Sequence, residues 1–247
     1  MTNELTNPDY LFEVSWEVCN KVGGIYTVIA TKSLYLKQQL HKHHILIGPD
    51  VWMDTESNPD FIEDTHLYSL WKAHAASEGI RVRIGKWNVP GNPIAILVDF
   101  KQFLTNQDYI LSKYWERFQV DSITGNWDYK ENFLFGYAAG KVIESFRNFN
   151  LSASDKIVAQ FHEWQTGAGL LYLKYKQLPI ATVFTTHATV IGRCIAGNNL
   201  PLYDSMNLYD GDQKARQFNV IARHSLEKKS AQNADIFTTV SEITAKE

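Results

Sequence analysis

The chain has 247 residues, with 24 Lys and Arg against 27 Asp and Glu, a formal net charge of −3, 45% apolar residues and 21% charged residues. These proportions are those of a folded globular domain and exclude a disordered chain, a collagen and a coiled coil. Without a basic excess, neither nucleic acid nor an anionic membrane is expected as the partner.

Other whole-chain features narrow the class further. No apolar run reaches the length of about 18 residues that a membrane span needs. The opening Met1-Thr-Asn-Glu-Leu-Thr-Asn-Pro8 has neither the basic nor the apolar region of a signal peptide. Cys19 and Cys194 show no paired spacing, so no disulfide framework or Cys zinc site is expected, and a reduced cytoplasmic setting is.

In chain order, Phe12, Val14, Trp16 and Val18 alternate with Glu13, Ser15 and Glu17, predicting a strand over 10–18. Lys21-Val-Gly-Gly24 turns the chain, and Ile25 to about His44 reads as a helix. His44-Ile-Leu-Ile-Gly-Pro49 is a second strand. Strand, glycine turn, helix and strand make the βαβ unit of a parallel sheet. Residues 50–80 read as a polar insertion with some helix. Val82–Trp87 and Ile94–Phe100 read as paired strands around Pro90-Gly91-Asn92. Helices are expected over 101–118, 130–148, 166–177 and 212–233, and strands over 156–161, 180–186 and 235–240; a looser region follows residue 186. The final Ser241–Glu247 reads as an N-cap and first turn of a helix cut short, as at a domain edge. The expected fold class is α/β, a Rossmann-like parallel sheet flanked by helices.

Several motifs fail on their chemistry. Thr166-Gly-Ala-Gly169 resembles a dinucleotide fingerprint, but Tyr172 stands where the third glycine must allow close helix–strand packing. Gly79 to Gly85-Lys86 has five intervening residues instead of the four of a P-loop, and no hydroxyl residue after the lysine. Asp210-Gly-Asp212 has the form of a metal clamp but suits a helix cap better. His41, His43 and His44 have no adjacent carboxylate or cysteine and read as a solvated helix end. No metal site is expected.

Three strand ends keep unusual residues, and the ends of parallel strands are where α/β sheets bind ligands. In Lys21-Val-Gly-Gly24 the glycines expose backbone N–H groups at a helix start, where the dipole favours anions. A lysine at that positive end is unfavourable unless an anion such as a diphosphate lies between; the alternative is a tight turn with a solvated lysine. In Phe161-His-Glu-Trp164, Trp164 offers a face to a sugar ring and Glu163 an acceptor to its hydroxyls, or else Trp164 is core and Glu163 a cap. Beyond Thr185-Thr-His-Ala-Thr189, His187 and Arg193 suit a sugar hydroxyl and a phosphate, although a lone His187 is often structural. Glu13 and Glu17 share a predicted strand face and read as structural ion-pair members.

These segments together resemble the eukaryotic-type glycogen synthases. Phe12-Glu-Val-Ser-Trp-Glu-Val-Cys-Asn-Lys-Val-Gly-Gly-Ile-Tyr-Thr-Val28 looks like that family's opening. Phe161-His-Glu-Trp164, Phe184-Thr-Thr-His-Ala-Thr-Val-Ile-Gly-Arg193 and Phe237-Thr-Thr-Val-Ser-Glu-Ile-Thr244 resemble its later signatures. The resemblance spans residues 11–247 and is weaker over 50–130. It implies the N-terminal, acceptor-side domain of a GT-B retaining glycosyltransferase, residues 1–247, with the catalytic C-terminal domain outside this chain. It further implies glucose transfer from UDP-glucose to the 4-hydroxyl of an α-1,4-glucan, without metal or other cofactor, in a full-length protein that can form homo-oligomers.

By the same resemblance, Lys21, Gly23, Gly24, His187 and Arg193 contact the donor. His187 meets the transferred glucose and Arg193 the phosphates, as the catalytic pair of this half, and Glu163 and Trp164 border the sugar. The 247 residues alone are expected to be inactive. The alternative is a stand-alone α-glucan-binding or interaction module, for which Lys21, His187 and Arg193 would have no use.

Overall fold

The computed structural model describes residues 7–40, 43–53, 57–242 and 245. The strand predicted over 10–18 is β1 over Tyr10–Val14 only. The chain leaves the sheet at Ser15, whose hydroxyl accepts the Glu17 amide at 3.1 Å, and Cys19 adopts a left-handed φ of 53°. That turn swings Val18 over the sheet end into the core beneath α1 (Gly24–Leu40). β2 (His44–Pro49) then pairs parallel with β1, completing the βαβ unit.

The polar stretch after β2 contains β3 (Phe61–Glu63) and α2 (Ser69–Ser77). β4 (Val82–Trp87) and β5 (Ile94–Val98) form the expected antiparallel pair, turning at Gly91 with φ 94°. A 3-10 turn over Lys101–Asn106 leads into α3 (Gln107–Phe118). α4 (Trp127–Asn150) begins at Asn126, whose side chain accepts the Tyr129 amide. β6 (Ile157–His162), α5 (Gly167–Tyr175) and β7 (Ala181–Thr186) follow closely.

The region read as loose contains α6 (Val190–Gly197), capped by Thr189 through the Gly192 amide. The helix expected over 212–233 is two helices, α7 (Gly211–Gln217) and α8 (Ile221–Asn233). Asn219 breaks it with a left-handed φ of 56°, a conformation Asn tolerates better than most residues. β8 spans Ile236–Thr239. Beyond it, the Ala245 amide donates to the Ser241 carbonyl at 3.0 Å; most of the helix start expected there lies outside the described residues.

The sheet order is β3-β4-β5-β2-β1-β6-β7-β8. It is mixed rather than wholly parallel, because β4 runs against both its neighbours. Both faces are covered. Phe12, Ile45, Ile47, Ile94 and Ile96 point into the larger core with α4 and α5, while Leu46, Ala95 and Leu97 face α1. Strands buried on both sides read as continuous apolar runs, as β2 and β5 do. β1 has β2 on one side and β6 on the other. The chain winds outward in both directions from β1, so the crevice beyond the carboxyl ends of β1 and β6 is the topological switch point, where open α/β sheets bind ligands.

The glycines of Thr166-Gly-Ala-Gly169 serve packing. A Cβ at Gly167 would lie 2.2 Å from Ser230 Oγ of α8, and one at Gly169 would lie 2.5 Å from the Gly136 carbonyl of α4. Asp210 caps α7 through the Gln213 amide at 2.8 Å. Asp212 is held by His224 and Lys228.

Candidate active site at the carboxyl edge of the sheet

The turn after β1 is organised by Glu17. Its Oε2 accepts the amides of Gly23 and Tyr26, both at 2.8 Å. Glu17 therefore caps α1 with its carboxylate instead of joining an ion pair on a strand. A Cβ on Gly23 would sit 3.0 Å from Glu17 Oε1, whereas one on Gly24 would meet nothing within 4 Å. The fold therefore makes no use of the missing side chain at Gly24, which leaves open space beside the start of α1. The Gly24 and Ile25 amides donate to no acceptor among the described residues. Lys21 is exposed, its ammonium 5.6 Å from the centroid of the Tyr26 ring.

Glu163, just past β6, has φ 65° and ψ 168°, a region that residues with a Cβ rarely occupy and that costs on the order of 1–3 kcal/mol. This conformation turns a buried carboxylate toward the end of β7. Its Oε1 accepts the His187 amide at 2.6 Å and the Ala188 amide at 3.2 Å. Burial raises the Glu163 pKa, and these two amides oppose the rise. Trp164 is half-buried, stacks on Tyr129 with ring centroids 6.0 Å apart, and carries the Arg223 guanidinium over its ring at 5.2 Å.

His187 is half-buried at the end of β7. Its Nε2 lies 3.0 Å from His162 Nδ1, and His162 Nε2 lies 2.7 Å from Glu13 Oε1. Glu13 is fully buried in the middle of β1; its other oxygen lies 2.9 Å from His44 Nε2, and Lys32 of α1 forms an ion pair with it. Despite the burial, Lys32 and the two histidines hold the Glu13 carboxyl well below its ordinary range. Burial pushes the His162 imidazole down.

Burial, with His162, Lys32 and Arg193 nearby, takes His187 from 6.5 to about 4. The folded chain thus prefers neutral His187, and its contribution to stability is complete above about 6.5 and lost as pH falls through about 4. Urea midpoints of wild type and His187→Gln should therefore converge as pH drops across that window. A constant difference would contradict the assignment.

Arg193 projects from α6 and is exposed, with its guanidinium 4.0 Å from Glu163 Oε1. Glu227 of α8 accepts the Val190 amide at 2.9 Å, tying α6 down, and burial raises its carboxyl to about 8. The structure thus brings His187, Glu163 and Arg193 together beyond β6 and β7, and Lys21, Gly23 and Gly24 beyond neighbouring β1.

Sequence reasoning missed Glu13, His162 and Glu227 as parts of this site. Glu13 sits between Phe12 and Val14 in a strand with neighbours on both sides, and a charge in that place has to be neutralised. His44 is buried on Glu13 rather than solvated, and the His43 Nδ1 lies 2.9 Å from the Asp9 carbonyl. His41 lies outside the described residues. Among the described residues no cluster suited to a metal ion occurs, and no helix is long and apolar enough to cross a membrane.

Comparison with known proteins gives the fold and site their context. The glycogen synthase family model matches residues 13–247. Glycogen [starch] synthase of Dictyostelium discoideum is 36% identical over 258 residues, covering 100% of this chain and 28% of that protein. The liver glycogen [starch] synthase of Mus musculus is 36% identical over 236 residues, covering 95% of this chain and 33% of that protein. Among solved structures, the catalytic domain of starch synthase IV from Arabidopsis thaliana, bound to ADP and acarbose, aligns over 74% of this chain and 34% of its own, at 17% identity and TM-score 0.42. The chain spans about a third of the length of these glycogen synthase relatives. With nearly its whole length matched by the family model, the chain belongs to the glycogen synthase family.

Proposed function

We propose that this chain is the acceptor-side domain of a cytoplasmic GT-B glycosyltransferase that moves glucose from UDP-glucose to the 4-hydroxyl of an α-1,4-glucan with retention. The observation that carries the reading is a convergence at one sheet edge: amides at Gly24 and Ile25 that meet no acceptor among the described residues, exposed cations at Lys21 and Arg193, and the half-buried His187, whose burial favours the neutral imidazole.

Departure of UDP concentrates negative charge on the diphosphate while the glucosyl carbon becomes cationic. Cations and amides already aimed at the diphosphate stabilise that charge without reorganising. Lys21, the Gly24 and Ile25 amides and Arg193 fill this role, the expected Gly23 contact being ruled out because Glu17 already holds that amide, and neutral His187 offers the sugar a lone pair. Glu163 fixes the His187–Ala188 backbone and, with Trp164, borders the sugar. A second domain supplies the remaining donor contacts, so these residues alone would not turn over.

The test is transfer of radiolabelled glucose from UDP-glucose to glycogen by the native polypeptide. Transfer is expected to persist in excess EDTA, because the leaving-group charge is met by protein cations and amides. Activity abolished by EDTA and restored by a divalent ion would overturn the metal-free step. Glycogen binding without any transfer would favour a glucan-binding module instead.

A further inference from the structure

The geometry points to Glu13 and His162 as positioning residues that lock His187 in one tautomer, proton on Nε2 and lone pair on Nδ1, so that its ligand must be a hydrogen-bond donor such as a sugar hydroxyl. The inference rests on the glucosyl-transfer reading for what the ligand is, but the tautomer follows from this chain's own contacts.

An ionised carboxylate only accepts hydrogen bonds. Each imidazole nitrogen against Glu13, Nε2 of His44 and Nε2 of His162, must therefore carry a proton. Lys32 already neutralises Glu13, so no net negative charge remains to hold a second buried cation. His44 Nδ1 is buried with no partner among the described residues, which a bare lone pair tolerates far better than an N–H donor. His162 is accordingly neutral, the form its burial also favours.

Neutral His162, protonated at Nε2, presents its Nδ1 lone pair to His187 Nε2 at 3.0 Å. Two lone pairs cannot face each other at that distance, so His187 Nε2 carries the proton. His187 Nδ1 is left as an acceptor with no partner among the described residues. Most of the neighbouring groups act in the same sense, with the more distant Glu13 opposing them. Lys32 and Arg193 both disfavour a proton on His187, and the nearby Glu163 oxygen is taken up by the His187 and Ala188 amides. A phosphate oxygen, which has no proton to give, is a poor partner for that lone pair, so the relay separates the sugar side of the site from the diphosphate side.

Long-range proton–nitrogen correlation spectra of the intact native polypeptide, labelled at histidine nitrogen and free of ligand at neutral pH, read this directly. His187 and His162 are each expected as a single neutral form protonated at Nε2. His187 protonated at Nδ1, charged, or mixed as in free imidazole would overturn the inference. In His162→Phe, His187 should relax to a mixture, and kcat with UDP-glucose should fall by roughly 10-fold with little change in KM, the size of effect usual for an outer partner of a working imidazole. An unchanged His187 tautomer in a folded His162→Phe would also refute it, and should that variant fail to fold, the wild-type spectrum still decides. Because the spectrum needs no substrate, a failed transferase assay would leave the tautomer result standing, while active enzyme with the wrong tautomer would refute the relay alone.

Discussion

Replacing Arg193 or Lys21 with alanine in the intact polypeptide is expected to cut glucosyl turnover by about 10-fold or more, about 1.4 kcal/mol of barrier for each. Neither side chain is committed to holding the fold together. Lys21 is exposed with its ammonium 5.6 Å from the Tyr26 ring centroid, and Arg193 is exposed with its guanidinium 4.0 Å from Glu163. The loss should therefore appear in turnover with stability almost unchanged, and it should fall on kcat more than on KM because charge builds on the diphosphate only as the bond breaks. Lys113→Ala is the control, a half-buried lysine on α3 paired with Glu116 and grouped with Tyr137, Tyr172 and Tyr175 rather than with the site residues. Wild-type rates in both Arg193→Ala and Lys21→Ala would remove the diphosphate assignment.

Phe146→Ala is expected to have the largest effect on stability, a loss of about 3–5 kcal/mol, because the core cannot close over the space of a whole ring. Phe146 is fully buried on α4. Its ring meets Phe12 of β1 at 5.5 Å, Tyr68 at 4.9 Å and Trp71 of α2 at 5.0 Å, all edge-on. Removing it loosens the packing of α4 on β1, the strand that carries Glu13 and leads into the Lys21 turn. Urea unfolding measures the loss, and a change below about 1 kcal/mol would mean that the site is not supported through α4.

The opening βαβ unit, the β4–β5 pair and the strands β6 to β8 were legible because their apolar runs are short and bounded by polar, Gly or Pro residues. The unread parts have physical causes. β1 stops at Val14 although alternation continues to Val18, because Ser15 and Cys19 bend the chain and Val18 finds a core position off the sheet. The break between α7 and α8 was marked by Asn219, whose left-handed conformation was hidden inside an otherwise helical pattern. α6 is a short helix of eight residues, too brief for periodicity to show.

In the site, Lys21, Gly24, His187 and Arg193 stood out because charged or glycine residues just beyond strand ends are unusual. The relay behind His187 was not legible, since Glu13 and His162 are 149 positions apart and meet only when β1 and β6 pair. Glu17 was hidden for a local reason, since the Gly23 and Tyr26 amides come within its reach only once the turn and α1 have formed.

A donor diphosphate held at one edge of this sheet would be visible in a crystal structure of the intact native polypeptide with UDP bound. Diphosphate oxygens are expected within hydrogen-bond reach of the Gly24 amide and facing Lys21 and Arg193, with His187 Nδ1 turned toward the space where the glucose would sit. A diphosphate bound elsewhere, with the Gly24 and Ile25 amides still unpaired, would contradict it.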